Sequence, residues 1–335
     1  MGSQFVDLNA DGHLDYLTAT FAGSPYVSYG SAEGFSDPVR LVDAQGRRII
    51  ISTCWNEEKL TDENLGYAMP DGKPRAERCI SAWAFDWDAD GDYDLLLGSY
   101  ENGHLYRQMN EGTDREPKFT GRNIPVLAGD KPFALPAGMT APRLVDWDGD
   151  GDLDILAGTF GDYYGQKPGG GVYLSRNAGS KGKPQFGALE TLVQPSAKGA
   201  NDPTRPDAGL YVDAVDYDGD GDLDLVVGAF SMWTTRAREL NEDENVTLER
   251  LRKQQKQVTD RLQQMSRATH AAATKATEGL AQDSKKYRDR WMKVYAEHEE
   301  KVIPFHRQLQ ELTRNIGTYV ATPRREGFVW LYERL

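Results

Sequence analysis

The side chains in this sequence best placed to do chemistry are aspartates, and they come in files. The stretch "VDWDGDGDLDILAG", Val145 to Gly158, sets Asp146, Asp148, Asp150, Asp152 and Asp154 at alternate positions ahead of an apolar run. Like charges at that density repel unless a cation sits among them. An all-oxygen donor set, rich in carboxylates and carrying a glycine for a tight turn, suits a hard cation, calcium above all. Aspartates at loop positions 1, 3 and 5 bring short carboxylates to the inside of a turn, and glycine at position 6 lets the backbone reverse. An EF-hand opens in the same way but needs Glu at position 12 and flanking helices. Here position 12 is Ala157, and the run after Asp154 ends in Gly158, which reads as a strand.

The file recurs. The four copies are "FVDLNADGHLDYLTA" from Phe5, "AFDWDADGDYDLLLG" from Ala84, "LVDWDGDGDLDILAG" from Leu144 and "AVDYDGDGDLDLVVG" from Ala214, with first aspartates 79, 60 and 70 residues apart. Similarity continues beyond the acids. "GHLYRQMNEGTDREPKF" and "GGVYLSRNAGSKGKPQF" share a short alternating strand, an Asn-x-Gly turn and a Pro-x-Phe that opens another strand. One module therefore reads strand A, acid loop, strand B, strand C, turn, strand D. Four-stranded antiparallel units repeated along a chain predict propeller blades. The expected fold class is an all-β propeller of four visible blades, five if more sequence precedes Met1, with a helical hairpin inserted in the last blade.

The insertion interrupts the fourth module. Its strand B ends near Trp233 and its strand C is "GFVWLYERL", Gly327 to Leu335. Between them, Leu248, Leu251, Gln255, Val258, Leu262 and Met265 form a heptad stripe, and Tyr287, Trp291, Val294, His298, Phe305, Leu309, Leu312 and Ile316 form a second. The two stripes seal an antiparallel helical pair that turns near Gly279, and Pro304 is expected to kink or split the second helix. The expected division is 1–235 for the blades, 236–316 for the hairpin and 317–335 for the closing strand. No strand D follows in the fourth module, so sequence ahead of Met1, with another module and a signal peptide, is expected.

With its D-x-D-x-D-G-x-x-D loops running into apolar strands that end in Gly, the chain resembles the FG-GAP/VCBS repeat family. Those are the calcium-loop propellers that include the head of integrin α chains. The resemblance implies up to four Ca²⁺ ions. They would be held by Asp7, Asn9, Asp11 and Asp15; by Asp86, Asp88, Asp90 and Asp94; by Asp146, Asp148, Asp150 and Asp154; and by Asp216, Asp218, Asp220 and Asp224. His13, Asp92, Asp152 and Asp222, at position 7, would ligate through backbone oxygen with side chains turned to solvent. The first loop departs from the others in Asn9 and in Ala19, so it is expected to be the weakest site. For a single copy the alternative is a metal-free turn closed by Asx hydrogen bonds. Four Ca²⁺ would bring the formal net charge from -13 to about -5.

Charge argues against nucleic acid as a partner. The excess is uneven: residues 236–316 hold 17 Lys and Arg against 13 Asp and Glu, so that segment is +4 and the rest carries -17. Cys54 and Cys79 leave a disulfide and two buried thiols equally open. No stretch is apolar enough to span a membrane, and the calcium loops with the family resemblance place the protein outside the cytoplasm. Topology puts the acid loops on the A–B face and the insertion on the opposite B–C face, where ligand binding is expected. No catalytic motif is present among the patterns of nucleophile elbows, zinc proteases or phosphate loops. The expected function is non-catalytic binding of a protein or carbohydrate. Two rivals are a polysaccharide lyase using His104 with Tyr163 or Tyr164, and an architectural protein that oligomerises through the hairpin. Trp55, Trp83 and Trp233 are candidate sugar-stacking residues. Trp87, Trp147 and Tyr217, at position 2 of their loops, are expected to pack between neighbouring blades.

Overall fold

The computed structural model describes residues 2–161, 168–196, 205–234, 239–280, 284–320 and 323–334. Tyr163 and Tyr164 lie outside these residues, as does the side chain of Trp233. The chain is mostly β-structure, in six small antiparallel sheets, with two long helices toward its C-terminal end.

The first sheet is β1 (Ser3–Val6), β2 (Asp15–Ala19), β3 (Pro25–Ser28) and β4 (Val39–Arg40), paired in that order. A hairpin follows, β5 (Thr53–Asn56) and β6 (Thr61–Asn64), inside what the sequence offers as a plain connection. The second sheet is β7 (Cys79–Phe85), β8 (Asp94–Ser99), β9 (Leu105–Gln108) and β10 (Ile124–Pro125), followed by the small pair β11 (Leu127–Ala128) and β12 (Lys131–Pro132). The third is β13 (Met139–Val145), β14 (Asp154–Thr159), β15 (Val172–Ser175) and β16 (Glu190–Val193). The fourth joins β17 (Ala208–Val215) and β18 (Asp224–Thr234) to β19 (Pro323–Tyr332), with α1 (Glu242–Ala276) and α2 (Lys285–Ile316) lying between β18 and β19 in the chain. Strand, acid loop and strand thus recur four times in one order.

The sheets pack face to face in sequence order. Val6, Leu8, Leu17 and Val27 of the first module bury against Ala82, Ala84, Leu95, Leu97 and Tyr106 of the second. The opposite face of the second sheet, with Trp83, Phe85, Trp87, Leu96 and Leu105, meets Leu144, Ile155, Ala157 and Tyr173 of the third. Val145, Trp147, Leu156 and Leu174 then meet Val212, Ala214, Leu225 and Val227 of the fourth. Each sheet therefore has a forward face that covers the next sheet and a rear face that receives the one before. β8 and β14 are buried on both faces, so they read as unbroken apolar runs. β2 alternates between buried and half-buried residues, because only its forward side is covered.

A second thread ties the modules together. Phe21, Tyr100, Phe160 and Phe230 all stand 14 residues after the first aspartate of their copy. Each ring meets the next edge-on, with centroids 5.4, 5.7 and 6.3 Å apart, as aromatic quadrupoles prefer. The guanidinium of Arg325 lies 3.7 Å from the centroid of the last ring, Phe230.

Met1–Trp233 and Arg325–Leu335 form one compact unit and Thr234–Arg324 the other. In the helical unit, Asn241 caps α1: its Oδ1 accepts from Glu244 N at 2.9 Å while Glu244 Oε2 accepts from Asn241 N at 3.0 Å. The helices run antiparallel, since Gln255 reaches Thr313, Thr269 reaches His298 and His270 reaches Tyr295. Leu248, Leu251, Val258, Leu312 and Ile316 bury against one another, and His298 sits in the seam on the Thr269 hydroxyl. Of the two outcomes expected of Pro304, the split does not occur: α2 runs unbroken from Lys285 to Ile316. Val302 and Leu312 are buried on either side of it, so packing outweighs the backbone hydrogen bond that proline removes. The disulfide alternative also falls: Cys54 and Cys79 are buried free thiols in separate apolar clusters.

Candidate metal loops

Each acid loop joins strand A to strand B, and its turn is built by backbone conformation. Position 6 is left-handed in all four loops, with φ of 90, 102, 93 and 97° at Gly12, Gly91, Gly151 and Gly221. Position 4 is left-handed as well, at Ala10 (51°), Ala89 (62°), Gly149 (75°) and Gly219 (80°), so two loops hold an alanine where glycine costs less. This turn brings positions 1, 3 and 5 together. One carboxylate oxygen from each of Asp86, Asp88 and Asp90 lies within 4.8 Å of the others, and the same holds for Asp146, Asp148 and Asp150 and for Asp216, Asp218 and Asp220.

Backbone N–H groups organise the acids. The position-5 carboxylate accepts from the N–H of position 7 in every copy: Asp11 from His13 at 2.9 Å, Asp90 from Asp92 at 3.1 Å, Asp150 from Asp152 at 2.9 Å and Asp220 from Asp222 at 3.0 Å. The same bond from His13 holds the Asp11 carboxyl below the usual carboxylate range. Asp7 accepts from Asp11 N and Gly12 N, and Asp146 from Gly149 N and Gly151 N. In the first loop the Asn9 amide donates to Asp11 Oδ2 at 3.0 Å, so a neutral side chain relieves part of the crowding there. In the third, Arg176 reaches Asp148 at 2.7 Å and Glu190 at 3.0 Å.

The second loop has neither device. Asp86 Oδ1 is buried and accepts no hydrogen bond, and neither does Asp92 Oδ1. A buried carboxylate oxygen without a donor is costly unless a cation meets it. The donor set and this orphaned oxygen fit a calcium ion, with Asp86, Asp88 and Asp90 as the side chains that would hold it.

Position 9 has a further task that the spacing did not disclose. Its two carboxylate oxygens accept from two backbone N–H groups, one at loop position 2 and one just after strand C. Asp15 takes Leu8 N and Gly30 N at 2.9 and 2.8 Å, and Asp94 takes Trp87 N and Asn110 N at 3.1 and 2.7 Å. Asp154 takes Trp147 N and Asn177 N at 3.0 and 2.7 Å, and Asp224 takes Tyr217 N and Arg334 N at 3.0 and 2.9 Å. These aspartates are buried clasps that tie the loop to the far end of strand C. Burial pushes Asp15 and Asp154 up, and Asp94 up to about 6, despite both hydrogen bonds. Asn110 and Asn177, the clasp partners, turn the chain onward: each Oδ1 accepts from the N–H two residues later, Gly112 at 2.9 Å and Gly179 at 3.0 Å.

Position 7 needs correction. His13 is exposed as expected, and Asp152 is half-buried. Asp92 is only 8% exposed, so its side chain does not face solvent. Burial first, and then the neighbouring Asp90, push its carboxyl upward. Asp222 is half-buried with Oδ1 unpartnered, and its Oδ2 lies 3.9 Å from Arg334 Nε. Position 2 holds in part. Trp87 and Trp147 are buried between sheets, under the guanidinium groups of Arg107 (4.4 Å) and Arg334 (5.2 Å). Tyr217 is 66% exposed, because among the described residues no sheet covers the forward face of the fourth.

Outside the loops, His104 does not stand alone. Its Nδ1 lies 3.2 Å from both carboxylate oxygens of the buried Glu77, which also accepts from the Tyr106 hydroxyl at 2.9 Å. Glu77 carries no motif, and only the fold brings it to His104 and to Tyr106, which stands two residues further along. Trp55 lies at the surface and Trp83 is half-buried beneath Arg143, 4.7 Å away. A cleft of about 1030 Å³ opens beside the second loop, between the second sheet and the C–D turn of the third module. Trp87 and Phe186 line it, and the Arg107 Nε in its wall is buried without a hydrogen-bond partner.

Sheets that recur around an aspartate loop and stack in chain order define a β-repeat protein. Residues 86–157 and 146–227 match the FG-GAP-like repeat, which supports membership of an FG-GAP repeat family. No curated protein matches the chain. No helix among the described residues is long and apolar enough to cross a membrane.

Proposed function

We propose that this chain is a calcium-stabilised binding module of the β-propeller type, working outside the cytoplasm on a protein or carbohydrate ligand without catalysis. The observation that carries the calcium reading is the second loop, where three carboxylates converge and the buried Asp86 Oδ1 has no donor. Three loops offer the full acid triplet; the first, with Asn9 already spent on Asp11, is the weakest. The ions rigidify the A–B corners of the sheets and offset the negative charge of the unit that carries them. The sequence points to the B–C face for the ligand. The cleft of about 1030 Å³ beside the second loop, lined by the exposed Asp88, Asp130 and Lys183, offers a candidate surface on the loop side as well.

Thermal unfolding in calcium and in EDTA tests the metal, with isothermal titration for the number of sites. A site filled to a hundred times its Kd adds about 2.7 kcal/mol, so removal of calcium lowers the Tm by several degrees. An identical Tm in both buffers, with no heat of calcium binding, refutes the reading.

A further inference from the structure

We infer, on the calcium reading above, that the C–D turn of the third module is a brace for the second acid loop, so that the affinity of that loop for its cation is set from the neighbouring repeat. Gly182, in that turn, is then a positioning residue for a site to which it lends no ligand.

The contact is backbone against backbone. Gly182 is left-handed, with φ of 76°. A methyl group added there would lie 2.4 Å from the Asp88 carbonyl oxygen, 2.9 Å from the carbonyl carbon and 3.1 Å from the Ala89 Cβ. Asp88 and Ala89 are positions 3 and 4 of the second loop. The first belongs to the acid triplet, and the second is the left-handed alanine that helps to turn it. The repeat itself does not ask for glycine at this point. In the second module the corresponding residue is Arg115, five residues after Asn110 as Gly182 is after Asn177, and Arg115 is not left-handed. What excludes a side chain at Gly182 is the neighbouring loop.

The turn is fastened at its other end. Asn177 Oδ1 accepts from Gly179 N and Gln185 N at 3.0 and 2.9 Å, and Lys183 N donates to Ser180 O at 2.8 Å. Asn177 N donates to Asp154 Oδ1 at 2.7 Å, the position-9 clasp of the third loop. An unbroken path of hydrogen bonds and close contacts thus runs from the third loop through the turn to Asp88. On one side the turn closes a space of about 370 Å³ lined by Asp86 of the second loop, Asp152 of the third, and Lys181 and Gly182. On the other, Lys183 and Gln185 line the cleft beside the second loop, so one wall of that candidate surface moves with the turn. A cation that gathers Asp86, Asp88 and Asp90 fixes the backbone on which the turn rests. By reciprocity, lifting the turn loosens the cation.

Gly182→Ala tests the brace with every acid in place. Isothermal titration with calcium shows one site fewer at wild-type affinity, that site being weakened at least about tenfold. Asp90→Ala removes the second site, and on that background Gly182→Ala leaves the remaining calcium binding unchanged. Hydrogen exchange on the wild type needs no substitution in the turn. The amides of Ala178, Gly179, Ser180 and Lys183 exchange at least about tenfold more slowly in calcium than in EDTA, and the difference disappears in Asp90→Ala. A Gly182→Ala protein with wild-type affinity at every site overturns the brace. So does a loss that persists undiminished on the Asp90→Ala background, or exchange in the turn that ignores calcium while the wild type binds it. A wild-type chain that takes up no calcium overturns both the brace and the calcium reading on which it rests.

Discussion

Asp154→Ala separates the two roles that position 9 can hold. The residue is 1% exposed, and its oxygens accept from Trp147 N at 3.0 Å and Asn177 N at 2.7 Å. Truncation removes two charge-assisted hydrogen bonds, each of about 1.5–3 kcal/mol, and strands two backbone N–H groups. Against that, burial already disfavours the carboxylate and pushes its pKa up, so the loss falls at the lower end of the sum, about 3 kcal/mol. For a unit of this size that is a Tm lower by about 6–12 °C. Asp150→Ala is the companion. Asp150 is exposed and accepts from Asp152 N at 2.9 Å, so its loss costs less than about 1 kcal/mol without metal. The assay is thermal unfolding of both variants and the wild type, in EDTA and in calcium. Asp154→Ala should lose stability in both buffers. Asp150→Ala should match the wild type in EDTA and lose only the calcium increment. An Asp154→Ala protein with the wild-type Tm in EDTA would refute the clasp and return position 9 to a pure ligand role.

Three further outcomes follow from the geometry. Gly151→Ala meets no atom within 4 Å, so its cost is backbone strain at φ 93°, at least about 1–2 kcal/mol. Ala89→Gly relieves a left-handed alanine but returns about 0.4–1 kcal/mol of unfolded-chain entropy, a net gain below about 1 kcal/mol by denaturant titration. Burial pushes the Cys79 thiol up to about 12 and raises that of Cys54, so neither should react with a thiol reagent at neutral pH until the protein unfolds. Labelling of either one in the native protein would contradict the burial.

Much of the architecture was legible because it is written in local periodicities. A loop that needs left-handed residues at fixed positions betrays itself by glycine, as at Gly91, Gly151 and Gly221. An apolar run such as Leu95–Leu97 shows that a strand is covered on both sides. The heptad stripes on α1 and α2 identified their seam, because helical contacts lie close in sequence. Pro304 left open whether α2 would split, since what a proline does depends on the packing around it as well as on its own chemistry. The aromatic ladder through Phe21, Tyr100, Phe160 and Phe230 was also readable, at a constant offset from each first aspartate.

Where chemistry depends on partners distant in the chain, spacing was silent. The aspartates of positions 1, 3 and 5 announce a candidate cation site, because one turn of backbone suffices to gather them. Asp94 and Asp154 share that motif, yet their buried oxygens are engaged by N–H groups 16 and 23 residues away at one end and seven away at the other. His104 stands two residues from Tyr106 in the sequence, and only the path of the chain through residue 77 sets the two against Glu77. In "VDWDGDGDLDILAG" the composition alone indicates that a cation is wanted. Which aspartates are free to meet a cation and which clasps the sheet is decided by burial and by the direction of backbone N–H groups, and those exist only after the strands have paired.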